Sequence, residues 1–159
     1  MKVEEVMTKK VITLKPSQTV AEAVNKLAEH HISGAPVMDE TGKTVGILTE
    51  KDILNALKTS TKSIEMVYPS LSVVSVAFVE TDKIKETMEA FSEISNMKVS
   101  DIMVRDYVFA EKGTDLAKVV EIMGLRGINR VPVLDSGKLV GIVSRADIIK
   151  GLAKAKAVK

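Results

Sequence analysis

Apolar and polar positions along the chain fall into short blocks that occur twice in the same order. Val11-Ile12-Thr13-Leu14 is an apolar run ahead of Pro16 and predicts a brief strand. Thr19-Val20-Ala21-Glu22 places a hydroxyl three residues before an acid, the pattern of a capping box at a helix start. Val20, Val24 and Leu27 then recur at helical spacing and mark one buried face. Two more apolar runs, Ala35–Met38 and Thr44–Leu48, flank Asp39-Glu40-Thr41-Gly42 and predict a hairpin. A helix from about Glu50 to Lys58 completes the block.

The second pass repeats this order. Asp115 takes the cap position of Thr19, and Leu116, Val119, Val120 and Met123 form the helix face. Val131–Leu134 and Leu139–Val143 make the hairpin around Asp135-Ser136-Gly137, and Arg145 to Lys154 the last helix. The repetition extends to identity: Met1-Lys2-Val3 returns as Met97-Lys98-Val99, and Val45-Gly46-Ile47 as Val140-Gly141-Ile142. Ile32 to Asp39 (ISGAPVMD) returns as Ile128 to Asp135 (INRVPVLD), with four of the eight positions identical. A twofold repeat is too short for a solenoid and predicts two like halves packed about a pseudo-twofold axis. The expected division is 1–57 for the first half, 58–96 for a structured connector and 97–159 for the second half. In the connector, Val73–Val79 reads as a strand with Val74, Val76 and Phe78 on one face. Thr81–Ser95 reads as a helix carrying Ile84, Met88, Phe91 and Ile94.

Composition narrows the setting. With aromatics at 3% and no Trp, the core must be built from Val, Ile, Leu, Met and Ala. No Cys is present, which excludes disulfides and thiolate metal sites and suits a reducing compartment. The start of the chain carries acids and no apolar signal core, and no apolar run approaches a membrane span, so a cytoplasmic protein is expected. Net charge is +2, from 23 basic and 21 acidic residues, so charge alone does not argue for nucleic acid. The basic tail Lys154-Ala155-Lys156-Ala157-Val158-Lys159 reads as a frayed, solvated helix end, with a partner site as the alternative.

The strand–helix–strand–strand–helix order, the Pro-Val strand and the ending Gly-h-x-[Thr/Ser]-x-x-Asp (h, hydrophobic) resemble the CBS motif. Both halves carry that ending, as Gly46-Ile47-Leu48-Thr49-Glu50-Lys51-Asp52 and Gly141-Ile142-Val143-Ser144-Arg145-Ala146-Asp147. The resemblance is to a stand-alone tandem pair, or Bateman module. It implies an α/β (α+β) fold of two packed CBS motifs. The chain also resembles the regulatory insert of inosine monophosphate dehydrogenase, without that enzyme's catalytic barrel and without any Cys to serve as its nucleophile.

The resemblance implies a regulatory module that binds adenosine-type ligands in clefts between the halves. AMP, ADP, ATP and S-adenosylmethionine are the ligand class; no cofactor is implied. The residue chemistry is compatible. Asp52 and Asp147 stand three residues after a hydroxyl at a strand-to-helix junction, where a carboxylate can accept from both ribose hydroxyls. Thr49 and Ser144 can donate to a phosphate or ribose oxygen near a helix start that favours anions. Gly46 and Gly141 permit close backbone approach. A first-turn acid that complements the helix dipole is the plainer reading of either Asp alone; the pattern in both halves favours the ligand.

Base-holding positions carried over from the family are Ile12, Thr13, Ala35 and Pro36 in the first half and Val108, Phe109, Val131 and Pro132 in the second. Ordinary core packing serves for the same residues. Arg130, just before Val131-Pro132, is the candidate for phosphate because a guanidinium bonds it bidentately. The matching position in the first half is Gly34, so two inequivalent sites are expected. His30 and His31 are expected near the first cleft, as a helix end rather than a metal site. No nucleophile–base set, metal spacing, P-loop or dinucleotide glycine motif is present, so neither catalytic nor metal residues are expected. The expected partners are a second copy of the chain, in a homodimer, and a separate regulated protein; membrane and nucleic acid are not expected. A protein-interaction scaffold, or a nucleic-acid-associated dimer without a nucleotide role, is the alternative.

Overall fold

The computed structural model describes residues 1–60 and 73–157. Each half contains a helix, a hairpin and a second helix. In the first half these are α1 (Val20–Glu29), β1 (Gly34–Met38), β2 (Thr44–Thr49) and α2 (Glu50–Ser60). A long helix, α3 (Val73–Ser95), and a short one, α4 (Val99–Ile102), lead to the second half. There β3 (Ala110–Glu111), α5 (Leu116–Arg126), β4 (Arg130–Asp135), β5 (Lys138–Ser144) and α6 (Arg145–Ala157) follow. The fold is α+β, as the repeat predicts.

Local chemistry explains most of these boundaries. At the start of α1, the Glu22 amide donates to Thr19 Oγ1 at 3.2 Å and the Thr19 amide donates to Glu22 Oε2 at 2.8 Å. The capping box expected there is formed, and Val20, Ala23 and Leu27 are the buried face. Thr19→Ala is expected to lower unfolding stability by about 1 kcal/mol, the usual worth of a cap. Urea titration measures it, and an unchanged midpoint would remove the cap from the account. Asp115 occupies the matching N-cap but does not cap: its carboxylate accepts instead from Lys2 Nζ at 2.8 Å. Helix α5 ends at Gly127, whose φ of 62° is the left-handed conformation that a helix stop favours.

The hairpins are antiparallel and alike, each with a register shift at the same place, between Val37 and Met38 and between Val133 and Leu134. Ser136 and Gly137 take positive φ values of 51° and 81°, as a tight turn between twisted strands requires. The strand expected over Val11–Leu14 reduces to a single parallel bridge from Leu14 to Val37. Its counterpart β3 pairs with β4 in parallel over two residues.

Three expectations need correcting. Val73–Val79 is not a strand but the opening of α3. A continuous apolar run has no period that separates strand from helix, and no Gly or Pro interrupts it before the helical segment downstream. Within α3, Ala90, Phe91 and Ile94 pack on the core, whereas Ile84 and Met88 are exposed. Val120, expected on the buried face of α5, is also exposed; Leu116, Val119 and Met123 form that face.

The halves exchange their leading segments. Val3 is buried in the core of the second half, with Val6 and Met7 packed against it. Val99 and Met103 are buried in the core of the first, with Ile102 packed against it. Backbone bonds hold each exchanged segment. The Thr8 amide donates to the Ile142 carbonyl at 2.8 Å, and the Ile142 amide donates back at 3.0 Å. The Ile47 and Val104 amides and carbonyls make the equivalent pair at 3.0 and 2.9 Å. Gly46 and Gly141 make room for the methionines. A Cβ on Gly46 would lie 2.8 Å from Met103 Sδ and 2.9 Å from the Val104 carbonyl, and one on Gly141 would overlap Met7. The close approach expected at these glycines is therefore made by the partner half.

Candidate functional site

Because the halves are joined crosswise, so are the clefts. One, with a volume of about 830 Å³, brings Val11, Ile12, Leu27 and Ile32 of the first half against Ser144 and Asp147 of the second. The other, of about 440 Å³, brings Thr49 and Asp52 of the first half against Tyr107, Val108 and Ile128 of the second. Each cleft therefore takes an apolar wall from one copy of the repeat and the hydroxyl–x–x–Asp turn from the other.

The two turns have nearly the same geometry. Asp52 Oδ2 accepts from the Thr49 amide and from Thr49 Oγ1, both at 2.8 Å. Asp147 Oδ2 accepts from the Ser144 amide at 2.8 Å and from Ser144 Oγ at 2.6 Å. In each turn the carboxylate thus spends one oxygen on fixing the strand-to-helix junction. Oδ1 of Asp52 stands outside those bonds, and among the described residues Oδ1 of Asp147 receives only a long bond from Thr8 Oγ1, 3.3 Å. One carboxylate oxygen per cleft is thus held in place and, against at most one long bond, placed to accept from a ligand. Both carboxylates are half-buried.

Arg130 lies on both clefts. Its Nη1 donates to the Gly34 carbonyl at 2.5 Å and its Nη2 to Ser33 Oγ, so it pins the second half to the first. Its Nε is buried without a partner among the described residues. Burial pushes the guanidinium below its ordinary pKa, against the pull of the Glu50 and Asp147 carboxylates, which favour the charged form. A desolvated cation with an unused N–H is a fitting neighbour for an anion.

The other expected site residues separate into two sets. Ile12, Val108, Thr49, Asp52, Ser144, Asp147 and Arg130 line the clefts. Ala35, Pro36, Val131 and Pro132 are core residues with almost no exposure and line neither. Thr13 contributes its carbonyl to Lys26 Nζ at 2.8 Å and is not on a cleft wall. Phe109 is exposed, its ring 6.3 Å from that of Tyr107 at a tilt of 54°. His31 borders the larger cleft at a positive φ of 51°, and His30 is the C-cap of α1. Among the described residues no group of His, Cys, Asp or Glu is arranged to hold a metal.

Sequence reasoning missed Tyr107, whose hydroxyl donates to the Thr44 carbonyl at 3.1 Å and whose burial raises its pKa. It also missed Ser33 and Asn129, which stand at matching positions before the two hairpins and line both clefts. Their place in the repeat was the available signal. Among the described residues no helix is long and apolar enough to cross a membrane.

A family profile described as CBS domain matches residues 3–59 and 99–154. Inosine-5'-monophosphate dehydrogenase of Methanocaldococcus jannaschii is 33% identical over 150 residues; the match covers 94% of this chain and 23% of that enzyme. Among solved structures, the CBS domain pair of protein MJ0100 with 5-methylthioadenosine and S-adenosyl-L-methionine is similar at TM-score 0.71 and 26% identity, covering 98% of each chain. CBSX2 of Arabidopsis thaliana in complex with AMP is similar at TM-score 0.71 and 25% identity, with the same coverage.

Proposed function

Because the chain belongs to the CBS-domain family and carries the domain twice, we propose that it is a regulatory module, without catalytic activity, that seats adenosine-type ligands in the two clefts between its halves. One observation carries the reading. Each cleft sets a fixed, half-free carboxylate of one half opposite an apolar wall of the other. The carboxylate suits a ribose diol, and the wall suits the face of a purine. Similar pairs that hold AMP, 5-methylthioadenosine and S-adenosyl-L-methionine support the ligand class.

The crosswise construction supplies a route to regulation. A ligand that touches both halves stabilises the arrangement in which they are closed, in proportion to its preference for that arrangement. The output passes to a second copy and to a separate regulated protein. The exposed Ile149 and Leu152 on α6 are apolar positions that a homodimer would cover.

A thermal-shift panel of adenosine, AMP, ADP, ATP and S-adenosylmethionine tests the proposal. A ligand at a hundred times its Kd is expected to add about 2.7 kcal/mol of stability, which raises the midpoint by several degrees. No shift with any of the five at millimolar concentration would reject the adenosine reading. A shift equally large with inosine and guanosine nucleotides would reject its base selectivity.

A further inference from the structure

The two clefts share Arg130 and Glu50, so these cannot distinguish them. The remaining charges differ. The larger cleft has Lys10, Arg145 and Lys150 against the single carboxylate of Asp147. The smaller has Lys51 and Arg126 against Asp52 and Asp106. Where the larger cleft has Lys10 and Lys150, the repeat places Asp106 and Asn55 in the smaller. Two replacements at equivalent positions thus shift the smaller cleft away from positive charge.

From this we infer a division of ligands, resting on the proposed binding of adenosine compounds: the larger cleft takes an adenosine oligophosphate, and the smaller takes an adenosine ligand without net negative charge, such as a thioether or sulfonium derivative. The larger cleft is also the roomier, at about 830 Å³ against about 440 Å³. Lys10, Arg145 and Lys150 are exposed and can reach a flexible phosphate chain while the ribose sits on Asp147. In the smaller cleft a triphosphate would meet Asp106 where the larger cleft presents Lys10, and like charges brought together oppose binding. A sulfonium cation meets Asp106 with the favourable sign.

Isothermal titration of the full chain with ATP and with S-adenosylmethionine tests the division, using Asp147→Ala and Asp52→Ala to disable one cleft at a time. ATP binding is expected to fall in Asp147→Ala and to persist in Asp52→Ala; S-adenosylmethionine is expected to do the reverse. The double variant Lys10→Ala/Lys150→Ala, altered only at exposed positions, is expected to weaken ATP by about tenfold and adenosine by less than twofold. Dependence of ATP on Asp52, or equal losses of ATP and adenosine in the lysine variant, would overturn the division and leave the adenosine reading standing. Absence of binding by adenosine, ATP and S-adenosylmethionine alike would overturn both.

Discussion

Asp147→Ala is expected to weaken the adenosine ligand of the larger cleft by about ten- to a hundredfold, the worth of a charge-assisted hydrogen bond. The reason lies in how the carboxylate is held. Ser144 fixes Oδ2 through two short bonds, so Oδ1 presents a stationary acceptor. The bond it gives up is the long one from Thr8 Oγ1 at 3.3 Å. A ribose diol would therefore replace a poor partner with a good one. The same carboxylate also ties the start of α6, so the variant is expected to lose some stability without ligand. Unfolding in the absence of ligand measures that part, and titration measures the rest. An affinity that stays within twofold of the parent would remove Asp147 from the ligand.

Gly46→Val is expected to destabilise the fold by about 3 kcal/mol, near the upper end for overpacking. A side chain there meets Met103 Sδ and the Val104 carbonyl, and the carbonyl cannot turn aside without losing its bond to the Ile47 amide. The exchanged segment must then move, and Val104 moves with it out of the wall of the smaller cleft. Gly113→Val, where an added Cβ meets nothing within 4 Å, is the control and is expected to change stability by about 0.5 kcal/mol or less. Chemical denaturation compares the two. Equal stabilities would mean that the crosswise contact contributes little.

Much of this arrangement could be read from the chain because local chemistry repeats. The capping box at Thr19 and the hairpin turns depend on neighbours three or four residues away and form where expected, and the hydroxyl–x–x–Asp endings fall at the strand-to-helix junctions read for them. Interactions that cross the molecule were not legible. Asp115 sits at a cap position, yet Lys2 takes its carboxylate because the leading segment of one half lies on the other. Gly46 and Gly141 read equally well as room for a ligand and as room for a methionine; only the fold decides for Met103 and Met7. Ala35, Pro36, Val131 and Pro132 are apolar in strands, a pattern that describes a cleft wall and a core alike. The opening of α3 was misread for a different reason: its Val-rich run carries no period of its own.

The proposed binding mode rests a sugar diol on the fixed carboxylate at the junction of the two halves. Crystals grown with ATP in excess examine it directly. Ribose hydroxyls are expected within hydrogen-bond distance of Asp147 Oδ1, with the Thr8 bond released and the base against Ile12. Nucleotide density lying elsewhere, or a filled cleft in which Asp147 still holds only Ser144 and Thr8, would contradict it.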